Sequence, residues 1–461
     1  MNITRRNAGG LAAVLAIAGT ITAGPTAAQL HIAAEARVTL LARAYNAAGQ
    51  QLFAQLAASP GNIVFSPYSV GTAMSMLISG ARGDTASEMM RAMSMRMAPD
   101  AIDAANAEML SILNSYDQSA SPSVCPPSTS VNGGNCEARP GGDLMNQCQG
   151  GFRLVGNRCV APAATPASAR LLIANALMLL KRGDLVSADY VAALHTKYAA
   201  DVFKNASLGD INGWVAKKTE GKIDRMLDQI DPSSVATFLN AVYFKARWAS
   251  VFDPALTKNE AFNLTRSQKA DVALMNQTGS FSLVSRGGYR ALRLSYQVPE
   301  LGLVIVLPDD IEGVGAVAGR LGANELAELF AALRGGQAKK PVALALPHFK
   351  AEFRADLRAP LRQAGIQKAF DPSDADFSGM MARPAGQDQR VHIDQIVHRA
   401  VIEVAEESTE AAAATAAGMR SAAVARPIAP VSFRVDHPFL FYLIDDTSGA
   451  ILFEGRVADP R

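Results

Sequence analysis

Across residues 35–56 the apolar side chains Val38, Leu41, Tyr45, Leu52, Phe53 and Leu56 recur at helical spacing, with polar residues filling the opposite face. That pattern predicts an amphipathic helix. After Pro60-Gly61 the run Asn62-Ile63-Val64-Phe65 reads as a short strand, and a helix is expected over about residues 68–79, ended at Gly80. Pro67 suits its first turn, where a missing N–H costs nothing, and Ser66 stands where a cap is wanted. A further helix is expected over residues 100–114, and helical spacing returns over 187–203 and 211–227. Strand patterns then dominate: long apolar runs at 170–180 and 236–244, and shorter ones at 289–296, 301–307 and 342–353. A helix over 356–364 interrupts them, and the chain closes with strands 439–444 and 450–457 around the hairpin turn Asp446-Thr447-Ser448-Gly449. Helices gather early and strands late, the pattern of an α+β fold rather than of regular βαβ alternation.

Composition narrows the class. Of 461 residues 49% are apolar and 19% charged, enough for a sizeable core, and Lys+Arg 44 against Asp+Glu 42 leaves a net charge of only +2. No global field recruits nucleic acid or a membrane surface, and aromatic residues are not interleaved with basic clusters as a nucleic-acid platform requires. Residues 1–28 carry Arg5-Arg6, a short Gly/Ala/Leu/Ile stretch and the small residues Thr26-Ala27-Ala28. These are the parts of a secretory signal peptide with cleavage expected after Ala28, and the apolar stretch is too short for a stable span. Thr4-Arg5-Arg6 resembles a twin-arginine signal without its usual large apolar pair, so ordinary secretion is an equal alternative. Export to the periplasm or the medium is expected, with the mature chain, residues 29–461, free of a membrane span.

All four cysteines, Cys125, Cys136, Cys148 and Cys159, fall within residues 115–168, a stretch rich in Pro, Gly, Ser and Asn and poor in aliphatic side chains. Such a segment buries little core, and two disulfides are its natural staple; four cysteines allow three connectivities. Zinc is the rival reading, but metal knuckles hold cysteine pairs two to four residues apart, and here ten or eleven residues separate neighbours. The segment reads as a small module inserted into the larger domain.

Catalytic and cofactor motifs are absent. Gly313-Val314-Gly315-Ala316-Val317-Ala318-Gly319 follows a strand, but its third glycine is one residue late and Pro308-Asp309-Asp310 intervenes, so it reads as a surface turn before a helix over 323–333. There is no G-x-S-x-G elbow, no H-E-x-x-H and no phosphate loop. His392 and His398, six residues apart, fit neither adjacent turns of a helix nor a metal-binding pair. No enzyme, cofactor or metal is expected.

One segment stands apart. Glu406-Glu407-Ser408-Thr409-Glu410 gives way to Ala411-Ala412-Ala413-Ala414-Thr415-Ala416-Ala417, directly after the alternation Val401-Ile402-Glu403-Val404. Side chains no larger than Thr demand no pocket, so this peptide can be laid into a sheet.

Seven blocks in order, NIVFSPYSVGTAMSMLISGARGDTASEM (62–89), INGWVAKKTEGKID (211–224), FLNAVYFKARWASVFDP (238–254), GLVIVLPDD (302–310), LPHFKAEFRADLRAPLRQAGI (346–366), VHRAVIEVAEESTEAAAAT (397–415) and FRVDHPFLFYLIDDTSGAILFEGRVADP (433–460), resemble the serpin family. The resemblance covers residues 35–461 apart from the cysteine insert. It implies three β-sheets, eight or nine helices and an exposed reactive-centre loop that a serine or cysteine protease cleaves as substrate. The loop's N-terminal half then enters the main sheet and the protease is trapped as an acyl-enzyme, a one-use mechanism for a monomer.

Carried over residue by residue, the resemblance makes residues 406–414 the loop hinge and assigns Ser66, Ser69, Asn240 and His398 to the polar cluster beneath the point where the sheet opens. Trp248 matches the aromatic at the top of that opening. The hinge departs from the pattern at Ser408, where inhibitory members commonly carry Gly, and the loop is a few residues longer than in many members. The usual interval from Glu406 places the reactive bond at Ala422-Ala423, suited to an elastase-like or subtilisin-like protease; Arg420 and Arg426 leave a trypsin-like target open. The rival reading is a non-inhibitory member acting as a carrier or adhesion module through its insert. Such members carry bulky, charged or Pro residues in the hinge, and none lies between Thr409 and Ala417 other than Glu410.

Overall fold

The structure is a computed structural model that describes residues 27–116, 129–132, 135–138, 153–155, 158–160, 169–181, 183–382, 390–406 and 429–461. The first quarter holds α1 (Ala27–Leu56), the short β1 (Ile63–Phe65), α2 (Pro67–Gly80), α3 (Gly83–Ala92) and α4 (Pro99–Asn114). The cysteine-bearing segment contributes β2 (Thr129–Asn132), β3 (Asn135–Ala138), β4 (Arg153–Val155) and β5 (Arg158–Val160). Next come β6 (Ala169–Leu179), α5 (Ala188–Tyr198), β7 (Asp201–Lys204), α6 (Leu208–Lys218) and β8 (Ala236–Ala246). The second half is β9 (Lys258–Asn263), β10 (Lys269–Arg286), β11 (Tyr289–Ser295), β12 (Leu301–Pro308), α7 (Val314–Arg320), α8 (Ala323–Arg334), β13 (Lys339–Pro347) and β14 (Phe349–Asp356). It closes with α9 (Arg358–Gln363), β15 (Ile393–Val404), β16 (Val431–Arg434), β17 (Phe439–Asp445) and β18 (Ile451–Val457).

Three sheets organise these strands among the described residues. A five-stranded sheet has the order β14-β15-β8-β6-β7, a nine-stranded one runs β1-β18-β17-β12-β11-β10-β13-β16 with β9 on β10, and a four-stranded one, β2-β3-β5-β4, lies in the cysteine-bearing segment. The 18-residue β10 pairs with β9 and β13 along much of its length and with β11 at its far end. One continuous strand therefore joins what would otherwise be two sheets beside the five-stranded one.

Both faces of the five-stranded sheet are covered along β6 and β8, which is why these strands read as mainly apolar runs interrupted inside by few polar residues, Asn175, Thr237 and Asn240. On one face Ala174, Ala176, Met178, Leu239, Ala241 and Tyr243 pack with Ile211 and Val215 of α6. The alternate residues, Leu177, Phe238, Val242 and Phe244, join the main core, in which α2 is buried along nearly its whole length. Helix starts follow local chemistry: the Ser66 hydroxyl accepts from the Ser69 N–H at 3.1 Å with Pro67 in the first turn of α2, and Ser207 and Asp210 cap α6 reciprocally.

Several elements differ from the sequence reading, each for a local reason. Helical spacing over 187–203 overran α5, because Ala199 takes a left-handed φ of 49° and ends the helix, freeing residues 201–204 to form β7. Residues 211–227 shorten likewise to a helix ending at Lys218; Thr219 caps the turn that follows, its hydroxyl bonded to Val215 and Ile223. The glycine-rich piece is itself helical, as α7, anchored by buried Val317. The run 342–353 is two strands in different sheets, broken at His348 after Pro347. That break places His348 beside the end of β15.

Candidate functional site

The site centres on the seam between β8 and β15. These strands are direct parallel neighbours, with Ile393 opposite Ala236 at one end and Ile402 opposite Phe244 at the other. The register sets His398 opposite Asn240 across this seam and Asn240 opposite Asn175 of β6 on its other side. Three buried polar side chains thus form a rung across the central strands, facing the start of α2.

The rung is fully wired. The Asn240 amide Nδ2 donates to the Ser69 hydroxyl at 2.6 Å and to Asn175 Oδ1 at 2.5 Å, and the Ser66 hydroxyl donates to the Leu452 carbonyl of β18 at 2.6 Å. The Ser66 backbone N–H donates to His398 Nε2 at 3.3 Å, which requires the proton of the neutral ring on Nδ1, 2.6 Å from Asn240 Oδ1. Ser66, Ser69, Asn240 and His398 are all fully buried. Burial pulls the His398 imidazole down to about 3, because no carboxylate accompanies it and Phe65 lies edge-on 5.3 Å away. A network with every polar group satisfied is rigid, and it can be disturbed only by moving several partners together.

At the end of β15 the chain is gripped a second time. The Trp248 indole N–H donates to the Ala405 carbonyl at 2.8 Å, the Thr257 hydroxyl donates to Glu406 Oε1 at 2.7 Å, and His348 Nδ1 lies 3.2 Å from Glu406 Oε2. Trp248 stacks on Tyr296 with ring centroids 4.4 Å apart. The Glu406 carboxyl sits below its ordinary range: burial pushes it up, and the Thr257 hydroxyl and the His348 ring outweigh that. His398 and Ala405 are seven residues apart on one strand, about 23 Å at ~3.3 Å per residue. The two grips hold the middle and the end of the same strand.

Of the residues singled out from sequence, Ser66, Ser69, Asn240 and His398 come together, and Trp248 and Glu406 each make a bond at the end of β15, to the Ala405 carbonyl and from Thr257 respectively. The expected hinge from Glu407 to Ala414, the expected bonds at Arg420, Ala422-Ala423 and Arg426, and Cys125 and Cys148 lie outside the described residues, as do residues 1–26 of the expected signal peptide. Two partners escaped the sequence reading. Asn175 was visible as the single amide in the run Leu171-Leu172-Ile173-Ala174-Asn175-Ala176-Leu177, and such a group must find hydrogen bonds when buried. His348 carried no local signal. Among the described residues no group of three or more His, Cys, Asp or Glu could hold a metal, and no helix is long and apolar enough to cross a membrane.

The family model described as serpin (serine protease inhibitor) matches residues 43–131 and 142–460. The chain belongs to the serpin family. An uncharacterized serpin-like protein of Thermococcus kodakarensis is 30% identical over 417 residues, covering 89% of this chain and 83% of that protein. Leukocyte elastase inhibitor of Bos taurus is 30% identical over 426 residues, covering 87% of this chain and 93% of that protein. Among solved structures, the thermophilic serpin tengpin in its native state matches with a TM-score of 0.71 at 22% identity, over 91% of this chain and 94% of that one. The expected serpin fold is thereby established, with nine helices among the described residues and with the sheets arranged as above.

Proposed function

We propose that this serpin is an exported inhibitor of serine proteases that works once, by cleavage of its loop and entry of the cut strand between β8 and β15. The observation that carries this reading is the seam. Two long parallel strands meet directly, held by one polar rung and one end-grip, and the segment that leaves β15 past Glu406 is made of side chains no larger than Thr from Ala411 to Ala417. Such a strand can be buried without a polar or steric penalty, and a new central strand satisfies backbone groups on both edges. The polar rung then acts as the shutter, and Trp248 with Glu406 as the upper catch.

In the chemistry proposed, the protease serine Oγ attacks the carbonyl carbon of Ala422. The Ala422–Ala423 C–N bond breaks, the new amine of Ala423 takes a proton from the protease histidine, and Ala422 remains esterified to the enzyme. Insertion before hydrolysis carries that ester away from the protease's water. Small residues on both sides of the bond favour elastase-like and subtilisin-like targets, with Arg420 and Arg426 as trypsin-like alternatives. Residues 1–28 direct export, and the cysteine insert at 115–168 is a separate stapled module.

The test is incubation with elastase-like, subtilisin-like and trypsin-like proteases, followed by denaturing electrophoresis and mass measurement of the released fragment. A denaturant-stable complex and a fragment beginning at Ala423 are expected. Cleavage by every protease with full retention of protease activity sinks the inhibitory reading.

A further inference from the structure

A cavity of about 450 Å³ opens beside Trp248, lined from β10, β11 and the end of α8. Its walls include Arg293, Arg334 and Lys339 but only one carboxylate, Asp446, so the lining carries two more positive than negative charges. Arg293 is nine-tenths buried and fixed, donating to Asp446 Oδ2 at 2.8 Å and to the Ser295 hydroxyl at 2.6 Å. Arg334 reaches Asp446 Oδ1 only at 3.6 Å, beyond hydrogen-bonding range. Lys339 has no ion pair among the described residues.

The unsatisfied atoms concentrate here as well. Gln277 Nε2, Arg293 Nε and Asp446 Oδ1, all on side chains that line this cavity, are buried without a hydrogen-bond partner. Buried polar atoms are nearly always paired, so three on one cavity call for an occupant. Water can satisfy hydrogen bonds, but it does not pair with the excess positive charge. An anionic group can do both, and guanidinium and ammonium groups are the side chains that recognise carboxylate and phosphoryl oxygens.

We propose that this cavity binds a compact anion through a carboxylate or phosphoryl group held by Arg334 and Lys339, with Asp446 Oδ1 accepting from a donor on the same molecule. The site owes nothing to the reactive loop, so it stands or falls apart from the inhibitory function.

Trp248 lines the cavity and is one of only two tryptophans in the chain. In a Trp214→Phe background it is therefore the sole indole emitter. The full-length protein is titrated with inorganic phosphate in one arm and citrate in the other, reading Trp248 fluorescence. A saturable change with either anion is expected, and the arm that saturates at lower concentration distinguishes phosphoryl from carboxylate. Arg334→Ala with Lys339→Ala should weaken that affinity at least tenfold. Both side chains are exposed, so the variant should keep the thermal midpoint of the parent, and Lys258→Ala, away from this cavity, should bind as the parent does. No saturable change in either arm, or equal affinity in the double variant, overturns the site.

Discussion

Acidification should open the seam at His398, and the size of the effect follows from the ring's surroundings. Both nitrogens are committed: Nδ1–H donates to Asn240 and Nε2 accepts from the Ser66 N–H. A second proton would set two donors against each other and charge a fully buried ring. The imidazole is accordingly pulled down from 6.5 to about 3. A base with a depressed folded value binds more protons unfolded than folded, so stability is lost as pH falls through 6.5 towards 3. At ~1.4 kcal/mol per unit, the loss is ~2 kcal/mol between pH 7 and pH 5 and ~4–5 kcal/mol by pH 3.

Other groups titrate in the same range, above all Glu454, so the total pH dependence does not isolate the ring. The difference between the parent and His398→Gln does, because the amide keeps a donor and an acceptor but takes no proton. Guanidinium unfolding of both proteins is measured at pH 7, 6 and 5. The variant is expected to be less stable at pH 7, and its disadvantage should shrink by ~2 kcal/mol at pH 5. A stability gap constant to within ~0.5 kcal/mol across that range would refute the account of a neutral, doubly bonded imidazole.

Glu454 should behave in the opposite sense: its fully buried carboxyl is pushed up to about 8, Gln50 donates to one oxygen and the other has no partner. An acid with a raised folded value loses stability as pH climbs from 4.5 through 8, so Glu454→Gln should flatten that slope and be the more stable protein at pH 8.5, by on the order of 3–5 kcal/mol. Trp248→Phe, which removes the bond to the Ala405 carbonyl, should lower unfolding stability by ~1 kcal/mol in guanidinium melts while leaving secondary structure unchanged in circular dichroism. Thr409→Arg should turn an inhibitor into a substrate, read as loss of the denaturant-stable complex with loop cleavage retained. The register places Cys136 directly opposite Cys159 across the antiparallel β3–β5 pair, where Cα atoms lie about 4.5–5.5 Å apart, within disulfide range. Peptide mapping without reductant should find these two joined.

How far the sequence revealed this arrangement depends on whether the cause was local. The start of α2 was legible because Ser66 and Pro67 act within four residues of chain, and the strands at 170–180 and 236–244 were legible because burial on both faces leaves them mostly apolar, with Asn175, Thr237 and Asn240 as the buried polar exceptions. β10 was not legible: between Lys269 and Arg286 the apolar alternation is interrupted by the polar and glycine stretch Asn276-Gln277-Thr278-Gly279-Ser280, and its pairing with β9, β11 and β13 is set by distant segments. β7 was hidden because the spacing of α5 continues past Tyr198, and only the left-handed turn at Ala199 ends it. The site shows the same division. Ser66, Ser69, Asn240 and His398 were found through motif blocks, but their contacts depend on a parallel register between segments 158 residues apart in the case of His398 and Asn240. Asn175 entered through β6, and His348 through a sheet change that no periodicity announces.

That register has a consequence for how the seam must work. Asn240 and His398 are bonded at 2.6 Å because their strands are immediate neighbours. A strand laid between β8 and β15 moves them two strand spacings apart, about 9.5 Å, so this bond cannot survive insertion. The bonds from Asn240 to Ser69 and Asn175 lie on the β6 side of the seam and can persist. The Ser66 N–H then either keeps its hold on His398 or loses it, and His398 Nδ1 needs a new acceptor in either case. An incoming strand would pair its backbone with both β8 and β15, whereas an opened seam without a strand leaves those edges bare. Opening alone would therefore leave the His398 Nδ1–H donor and the Asn240 Oδ1 acceptor without each other, at a cost on the order of 1–3 kcal/mol each, and would bare ladder edges that only an inserted strand pairs again. On the proposed function, a cost at the halfway point and a gain at the end would hold the closed sheet in place until a cut strand is ready to enter.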